Sequence, residues 1–266
     1  MSHSISVVST LYCSSQTVDS FIKQCQKYLS EITPHYEIVL IDDGSPDDSV
    51  KKALKHDGPI KVVSLNKNHG HHQAMMAAIE QAKGDFIFLI DSDLEESPSL
   101  LLQFWNELKK NPEADVIYGV QDVRKGKITE RVFGSLFYKI FNFLSDVKIP
   151  PNLLTVRLMT RRYVDVLNQY KERALFIGGL WEIAGFKQVP IIVDKNSTSK
   201  TTYTLQNKIE LVLNSITSFS SKPLLLLFKL SLLINIVTFC YIGRTLYYWF
   251  AFDENISGYS SIIISV

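Results

Sequence analysis

The chain has 266 residues, of which 46% are hydrophobic and 21% are charged, so it can bury a full core and is not intrinsically disordered. A formal net charge of +1, without a basic cluster interleaved with aromatic residues, argues against a nucleic-acid-binding protein. Cys13, Cys25 and Cys240 lack CxxC spacing, which argues against a disulfide framework or a zinc site and favours a reducing compartment.

Short apolar runs alternate with amphipathic segments through the first half of the chain. The run at 5–11 lacks the basic start and long apolar core of a secretion signal, and we predict a strand there. Further strands are predicted at 37–41, 60–65, 85–90 and 116–118, and helices at 18–29, 48–55, 71–82 and 100–109. This alternation predicts an α/β fold with a mainly parallel sheet and a functional site at the carboxyl ends of its strands.

The second predicted strand ends in an acidic turn, DDGSPDDS at 42–49. A carboxylate at a strand end can accept a hydrogen bond from a base or a ribose hydroxyl, and Gly44 permits close approach of the backbone. The same residues are good helix-capping chemistry, so a capping turn is the alternative interpretation.

A histidine-rich segment, NHGHH at 68–72, precedes the third predicted helix. Backbone N–H groups at the start of that helix can face a phosphate. A three-histidine metal site is the alternative, but His69, His71 and His72 do not share one face at helical spacing.

The fourth predicted strand runs directly into FIFLIDSDLEESP at 86–98. It places Asp91 and Asp93 in the crevice beyond the sheet, where two carboxylates repel each other unless a cation lies between them, so the motif predicts a hard divalent metal. Together with the turn at 42–49, it predicts a nucleoside held at one strand end and a cation against its diphosphate at the other. Response-regulator domains also cluster carboxylates at strand ends, but the DxD spacing is not expected there.

Two later segments are aromatic or amphipathic and a third is strongly apolar. Residues 128–144 fit either the bilayer interface or ordinary core packing, and 205–219 fit the interface better because they precede the apolar segment. At ~1.5 Å per residue, 224–252 is long enough to cross a hydrocarbon core of about 30 Å, and we predict a membrane helix. A buried core helix is the alternative interpretation.

Charges on either side of the predicted membrane helix indicate its orientation. Lys222 and Lys229 lie at its start, whereas Asp253 and Glu254 follow its end, so the N-terminal domain is expected in the cytoplasm. Arg244, near the far end, opposes that assignment. A second apolar run begins at 262–266 and is too short to span a bilayer.

The chain resembles the inverting glycosyltransferases of family 2, in particular the membrane-anchored polyprenyl-phosphate branch that includes dolichyl-phosphate mannose synthase and bactoprenol glucosyltransferases. The resemblance covers essentially the whole chain. It rests on VLIDDGSPDDS, LNKNHGHHQAMMAA, DFIFLIDSDLEESP, DVIYGV, RLMTRR, KERALFIGGL and SFSSKPL, which occur in family order.

This resemblance implies a GT-A (Rossmann-like) catalytic domain followed by membrane segments. We divide the chain into a glycosyltransferase domain at 1–203, a juxtamembrane amphipathic helix at 204–222, a transmembrane helix at 223–252, and a loop with the start of a truncated second transmembrane segment at 253–266.

The resemblance also implies a set of site residues. Asp91, Asp93 and Glu95 are predicted to hold Mg²⁺ or Mn²⁺, and Asp91, Asp93 and Arg157 form the predicted catalytic set. Predicted contacts to the nucleotide sugar come from Tyr12, Asp42, Asp43, Asn68, Gly70 and Ser92, and those to the lipid phosphate from Arg124, Arg131, Ser135 and Lys200.

The chain departs from the family pattern at several positions. Asn152 and Thr155 stand where many relatives have Asp, which leaves the proposed general base of the family without a counterpart. The loss need not stop the reaction, because a phosphomonoester has a second pKa near ~6 and is largely dianionic at neutral pH. A Pro-x-Tyr-Asn-Glu segment is replaced at 10–14, and Gln121 stands where relatives often have Arg.

The expected function is transfer of a hexose from a nucleotide sugar, more specifically a UDP-sugar, to a polyprenyl phosphate at the cytoplasmic face of the inner membrane. The expected partners are therefore the nucleotide sugar, the lipid and the membrane, without nucleic acid; a homo-oligomer stays open. The alternative is a non-catalytic, degenerate membrane protein that binds a nucleotide sugar, which the altered Asn152 and Thr155 favour.

Overall fold

The computed structural model describes residues 3–121, 152–170, 177–194 and 220–252, together with 139, 142–144, 148 and 150. The chain divides into two compact units, Met1–Phe219 and Ser220–Val266. The boundary predicted at 203 lies outside the described residues.

The described part of the first unit alternates strands and helices. Its strands β1 to β7 are Ile5–Leu11, Tyr36–Asp42, Ile60–Ser64, Phe86–Leu89, Val116–Val120, Leu153–Thr160 and Gln188–Ile192. Its helices α1 to α6 are Val18–Ser30, Ser49–Ala53, His71–Gln81, Leu100–Lys110, Arg161–Leu167 and Ile177–Ile183. The five predicted strands and four predicted helices are confirmed with small shifts at their ends, whereas β6, β7, α5 and α6 were not predicted.

The seven strands form one sheet in the order β3-β2-β1-β4-β6-β5-β7. Strand β1 pairs in parallel with β2 and β4, and β5 pairs in parallel with β7. The prediction of a mainly parallel sheet is confirmed, with β6 as the exception because it runs antiparallel to both β4 and β5. Since β1 lies between β2 and β4, the carboxyl ends of these three strands meet at one edge.

Helices cover both faces of the sheet, and for this reason the central strands are apolar on both sides. All seven residues of β1 are buried. Phe21 of α1 and Phe104 of α4 pack on one face. Met75 of α3 and Tyr163 of α5 pack on the other.

The last two of the three arginines in the RLMTRR segment hold the sheet at the edge opposite to the acidic strand ends. Arg161 donates to the backbone carbonyls of Ala82 and Gly84, just before β4. Arg162 makes a bidentate pair with the buried carboxylate of Asp115, at 2.7 Å to each oxygen. Both guanidinium groups are therefore engaged in holding strands together rather than in an anion site.

The second unit contains one long helix, α7, at Lys222–Phe252. Among the described residues, it is the helix that is long and apolar enough to cross a membrane. Its apolar side chains are exposed along its length, from Leu224 (71%) to Phe250 (77%). The Thr238 and Thr245 hydroxyls each donate to the carbonyl four residues earlier, which satisfies polar groups within the helix.

Candidate active site

The acidic strand ends predicted to converge lie at the same edge of the sheet. Asp42, the last residue of β2, pairs in register with Leu11, the last residue of β1. The backbone of Asp43 donates to the Leu11 carbonyl at 3.0 Å. On the other side of β1, Ile90 donates to the Val8 carbonyl at 3.2 Å, immediately before Asp91. The sheet order therefore brings both acidic motifs to the two sides of one strand end.

The carboxylate of Asp43 is used within the protein. It accepts hydrogen bonds from the backbone N–H groups of His69 (2.7 Å) and Gly70 (3.0 Å). Asp43 is 3% exposed, and the two bonds are partly buried. Asp43 thus holds the loop that leads into α3, and a direct contact of Asp43 with the nucleotide stays a prediction.

Asp42 and Tyr12 are more available to a ligand. One carboxylate oxygen of Asp42, Oδ1, accepts from the Ser45 backbone at 2.8 Å. The ring of Tyr12, which follows β1 directly, is 53% exposed. Asp42 is 7% exposed, so a carboxylate that is largely buried and an exposed aromatic ring lie at the ends of neighbouring strands, which suits a nucleoside.

A chain of small hydroxyl groups joins the ends of β1 and β4 beneath the crevice. The Ser92 hydroxyl donates to the Thr10 carbonyl at 2.7 Å and lies 3.1 Å from the Ser14 hydroxyl. The Ser14 backbone in turn donates to the Ser49 hydroxyl. Ser92 is buried, so its hydroxyl braces the site and its predicted contact to the nucleotide sugar stays a prediction. Ser49 is the last residue of the acidic turn at 42–49 and Ser14 the last of the altered segment at 10–14, but neither was among the predicted site residues.

Asp47 stabilises the turn between β2 and α2. Its carboxylate accepts from the Ser15 backbone at 2.9 Å and from the hydroxyls of Ser45 and Ser49. Burial by itself would raise the pKa of Asp47, but these hydrogen bonds outweigh it and lower the pKa well below the ordinary value. Asp47 also accepts from the backbone N–H of Ser49, the first residue of α2, at 3.1 Å, whereas the N-cap residue Asp48 makes no capping bond with its side chain.

We expect Asp47 to make the stability of the domain sensitive to acid. Because its pKa is lowered in the folded state, the unfolded state binds more protons at low pH, and stability rises with pH. Its contribution is complete above about pH 5 and is lost progressively as the pH falls further. The free energies of unfolding of the wild type and Asp47→Asn should differ at pH 7 and converge toward pH 3; a constant difference would contradict this role.

The DSD motif presents its two carboxylates differently. The Asp91 side chain is 16% exposed, and Asp93 is exposed. Leu94, at a φ of +64°, turns the backbone beyond Asp93, and the buried Glu95 donates its N–H to Asp93 Oδ1 at 2.9 Å. No three His, Cys, Asp or Glu side chains are gathered as a metal-binding group in the part of the chain that the structure describes. Among the described residues Glu95 is thus not gathered with Asp91 and Asp93 into such a group, and its metal role stays a prediction.

A hard divalent cation nevertheless fits this edge of the sheet. Asp91 and Asp93 are oxygen donors that reach the crevice, which is the ligand type that Mg²⁺ and Mn²⁺ take. Mg²⁺ in nucleotide enzymes is commonly held by one or two carboxylates, with phosphate oxygens and water in the remaining positions.

One further side chain contacts the DSD motif and was not among the predicted site residues. His71, the first residue of α3, places Nε2 3.4 Å from Asp91 Oδ1 and Nδ1 3.2 Å from Thr10 Oγ1. The signal in the sequence was its position at the first residue of a predicted helix whose start was expected to face phosphate.

Arg157 lies beneath the edge of the sheet rather than in the crevice. It pairs in register with Leu89, two residues before Asp91, and is 1% exposed. Its guanidinium carbon stacks 2.9 Å from the ring centroid of Trp181, and Nη1 has no hydrogen-bond partner. Burial lowers the pKa of Arg157 to about 9, which leaves it charged at neutral pH. The buried guanidinium is a positive charge beneath the crevice rather than a group that lines it. The catalytic role of Arg157 stays a prediction.

The remaining predicted residues divide between described and undescribed segments. Asn68 accepts a hydrogen bond from Gly70, which has a φ of +93° and precedes α3. Asn152 has a φ of +58°, a left-handed conformation that Asn tolerates. Arg124, Arg131, Ser135 and Lys200 lie outside the described residues.

Gly44 provides a test of how closely the acidic turn approaches the loop before α3. A Cβ at Gly44 would lie 2.8 Å from Asn68 N and 2.9 Å from Lys67 C, both backbone atoms. Gly185 has a similar φ, +72° against +69°, but nothing lies within 4 Å of its Cβ position. We expect Gly185→Ala to cost about 1 kcal/mol and Gly44→Ala at least about 2 kcal/mol of unfolding free energy. Equal costs, measured by urea titration, would show that the approach is not tight.

The mainly parallel sheet, covered by helices and carrying acidic residues at adjacent carboxyl ends, is an α/β fold of the GT-A type. The family model described as glycosyl transferase family 2 matches residues 6–167. The chain belongs to glycosyl transferase family 2.

Relatives and solved structures are similar over most of the chain. A protein of Mycobacterium tuberculosis (strain CDC 1551 / Oshkosh) described as a glycosyltransferase is 40% identical over 98% of this chain and 77% of its own length. The bactoprenol glucosyl transferase of Shigella phage SfV is 28% identical, over 98% of this chain and 87% of its own. The crystal structure of glucosyl-3-phosphoglycerate synthase from Mycobacterium tuberculosis, in complex with Mn²⁺ and UDP-glucose, matches 79% of this chain and 76% of its own with a TM-score of 0.54. At 18% identity, that likeness shows the fold alone.

Proposed function

We propose that this chain transfers a hexose from a nucleotide sugar, a UDP-sugar in particular, to a polyprenyl phosphate at the cytoplasmic face of the membrane. The observation that carries the proposal is the meeting of Asp42 with Asp91 and Asp93 on the two sides of the end of β1. The similarity to a bactoprenol glucosyl transferase supports a lipid phosphate as the acceptor.

The donor is proposed to lie across the carboxyl edge of the sheet. Asp42 accepts from the base or ribose, and Tyr12 stacks on the base. The backbone N–H groups at the start of α3, positioned by Asp43, face the diphosphate. Asp91 and Asp93 hold Mg²⁺ or Mn²⁺, which when bound neutralises charge on the diphosphate leaving group.

The acceptor phosphate needs no strong base in this chain. It is largely dianionic at neutral pH, so its oxygen can attack the anomeric carbon from the face opposite the diphosphate. The new carbon–oxygen bond forms as the bond to the nucleoside diphosphate breaks, and the anomeric centre inverts. Asn152 and Thr155, in place of acidic residues, are compatible with this route.

Helix α7 is proposed to anchor the chain in the membrane. Its length and its exposed apolar surface fit a bilayer span, and lysines at its start fit a cytoplasmic catalytic domain. A membrane anchor on the same chain keeps the enzyme at the membrane, which its proposed acceptor does not leave.

The test is a panel of radiolabelled nucleotide sugars, supplied with Mn²⁺ or Mg²⁺ to membranes that contain the full chain. Undecaprenyl phosphate and dolichyl phosphate are offered separately, and membranes without the chain are the control. A lipid-soluble radiolabelled product from one nucleotide sugar is expected. Nucleotide binding by calorimetry without turnover on any donor would favour the non-catalytic alternative.

A further inference from the structure

The ring of His71 lies between β1 and the DSD motif, with a different partner on each nitrogen. Nδ1 is 3.2 Å from the Thr10 hydroxyl, and Nε2 is 3.4 Å from Asp91 Oδ1. The His71 side chain is 40% exposed and that of Asp91 is 16% exposed, and the Asp91 Oδ1 atom that faces Nε2 is itself buried. Thr10 is buried, and its hydroxyl fixes the position of the Nδ1 side of the ring.

Thr10, His71 and Asp91 are arranged as a metal-ligating histidine and its orienting partner would be, with Thr10 as that partner. The Thr10 hydroxyl can accept a hydrogen bond from Nδ1–H, which leaves the Nε2 lone pair directed toward the Asp91 carboxylate. Two electron-pair donors so close repel each other unless a proton or a metal cation lies between them. In metal sites, the second ring nitrogen of a ligating histidine characteristically donates to a nearby oxygen, which fixes the tautomer.

We propose that His71 Nε2 is a direct ligand, beside Asp91, of the divalent cation of the site; this rests on the proposed function. Two neighbouring ligands bonded at about 2.1 Å to one octahedral ion lie about 3 Å apart. The observed separation of 3.4 Å therefore requires a small side-chain adjustment. His71 takes the position in the ligand set that the sequence assigned to Glu95, which is buried.

This ligand set has two consequences for metal binding. Few protein ligands are gathered here, so oxygens of the nucleoside diphosphate complete the coordination, and tight binding of the metal requires the nucleotide. An imidazole ligand also favours Mn²⁺ and Co²⁺ over Mg²⁺, which prefers oxygen ligands alone. We therefore expect this site to prefer Mn²⁺ over Mg²⁺, and we assign that preference to His71.

The test measures metal binding, without turnover, on the full chain in detergent micelles with UDP or GDP present. Mn²⁺ and Mg²⁺ affinities are compared for the wild type, His71→Gln and the control His72→Gln, whose ring centroid lies 6.1 Å from that of His71. We expect His71→Gln to weaken Mn²⁺ binding by about tenfold or more and to change Mg²⁺ binding by less than about threefold. His72→Gln should change neither.

A spectroscopic measurement distinguishes ligation from indirect effects. Mn²⁺ bound to the wild type with nucleotide should show nitrogen modulation in its electron spin echo, and His71→Gln should lose it. Thr10→Val should keep the modulation but weaken Mn²⁺ binding severalfold, because the ring loses its orienting partner. The proposal is overturned if the wild type binds Mn²⁺ with nucleotide but lacks the modulation, a result that does not depend on the folding of any variant. If the wild type binds no metal with either nucleotide, the metal role in the proposed function fails as well.

Discussion

Asp93→Asn is expected to lower the rate of sugar transfer by about 10³-fold or more and to leave the fold intact. The substitution removes a negative charge from a side chain that is exposed at the end of the sheet and packs into no core. The bound cation and its position against the diphosphate depend on that charge, and such electrostatic stabilisation contributes several kcal/mol to catalysis. Initial rates with the donor found in the radiolabel panel, alongside thermal unfolding, check both parts.

Asp165→Asn is the matched control for this loss of one carboxylate. Asp165 lies on α5, its side chain is 61% exposed, and its partner at 3.8 Å is Arg161 rather than a residue of the site. We expect this variant to transfer sugar at the wild-type rate. Turnover by Asp93→Asn within tenfold of the wild type would exclude the proposed metal role of Asp93.

The adjacent aspartates at the end of β2 are expected to respond differently to the same substitution: Asp42→Asn should weaken nucleotide binding, and Asp43→Asn should lower stability. Asp42→Asn keeps the oxygen that accepts from Ser45 and puts an amide in place of the other oxygen, so the fold should be unchanged. Losing a charged hydrogen bond to the nucleoside, worth about 1.5–3 kcal/mol, should weaken UDP binding by about ten- to a hundredfold.

Asp43→Asn should instead destabilise the fold. Its two oxygens accept from His69 and Gly70, and an asparagine can satisfy one of these partly buried donors while its amide opposes the other. We expect a loss of about 2–3 kcal/mol in the free energy of unfolding. Urea titration and calorimetry with UDP on both variants separate the roles. Similar losses of stability in the two variants would contradict the division of labour between Asp42 and Asp43.

The elements that were predictable from the sequence have a strong local pattern. Strand β1 is apolar at nearly every position because both of its faces are covered, and α1 and α4 bury one stripe of side chains each. The end of an apolar strand is readable wherever an acidic residue follows it directly, as at Asp42 and Asp91.

Strand β6 could not be predicted in the same way. It is inserted between β4 and β5 in the sheet, although both precede it in the chain. Its partners are distant in sequence, and its buried Arg157 breaks the apolar pattern that marks the other strands. The cost of burying that arginine is offset by stacking on Trp181, a contact set by the packing of α6.

By itself, the sequence determined that two strand ends carry carboxylates, that the C-terminal helix is apolar and which family the chain resembles, and it predicted a helix start that faces phosphate. The tertiary structure decided which atoms are free to act. Both oxygens of Asp43 accept hydrogen bonds from backbone amides, whereas only one oxygen of Asp42, Oδ1, accepts such a bond among the described residues. His71 is brought to 3.4 Å from Asp91. The reason is physical, because the partner of a polar side chain depends on sheet order and on where a loop returns, and both arise from contacts between distant segments.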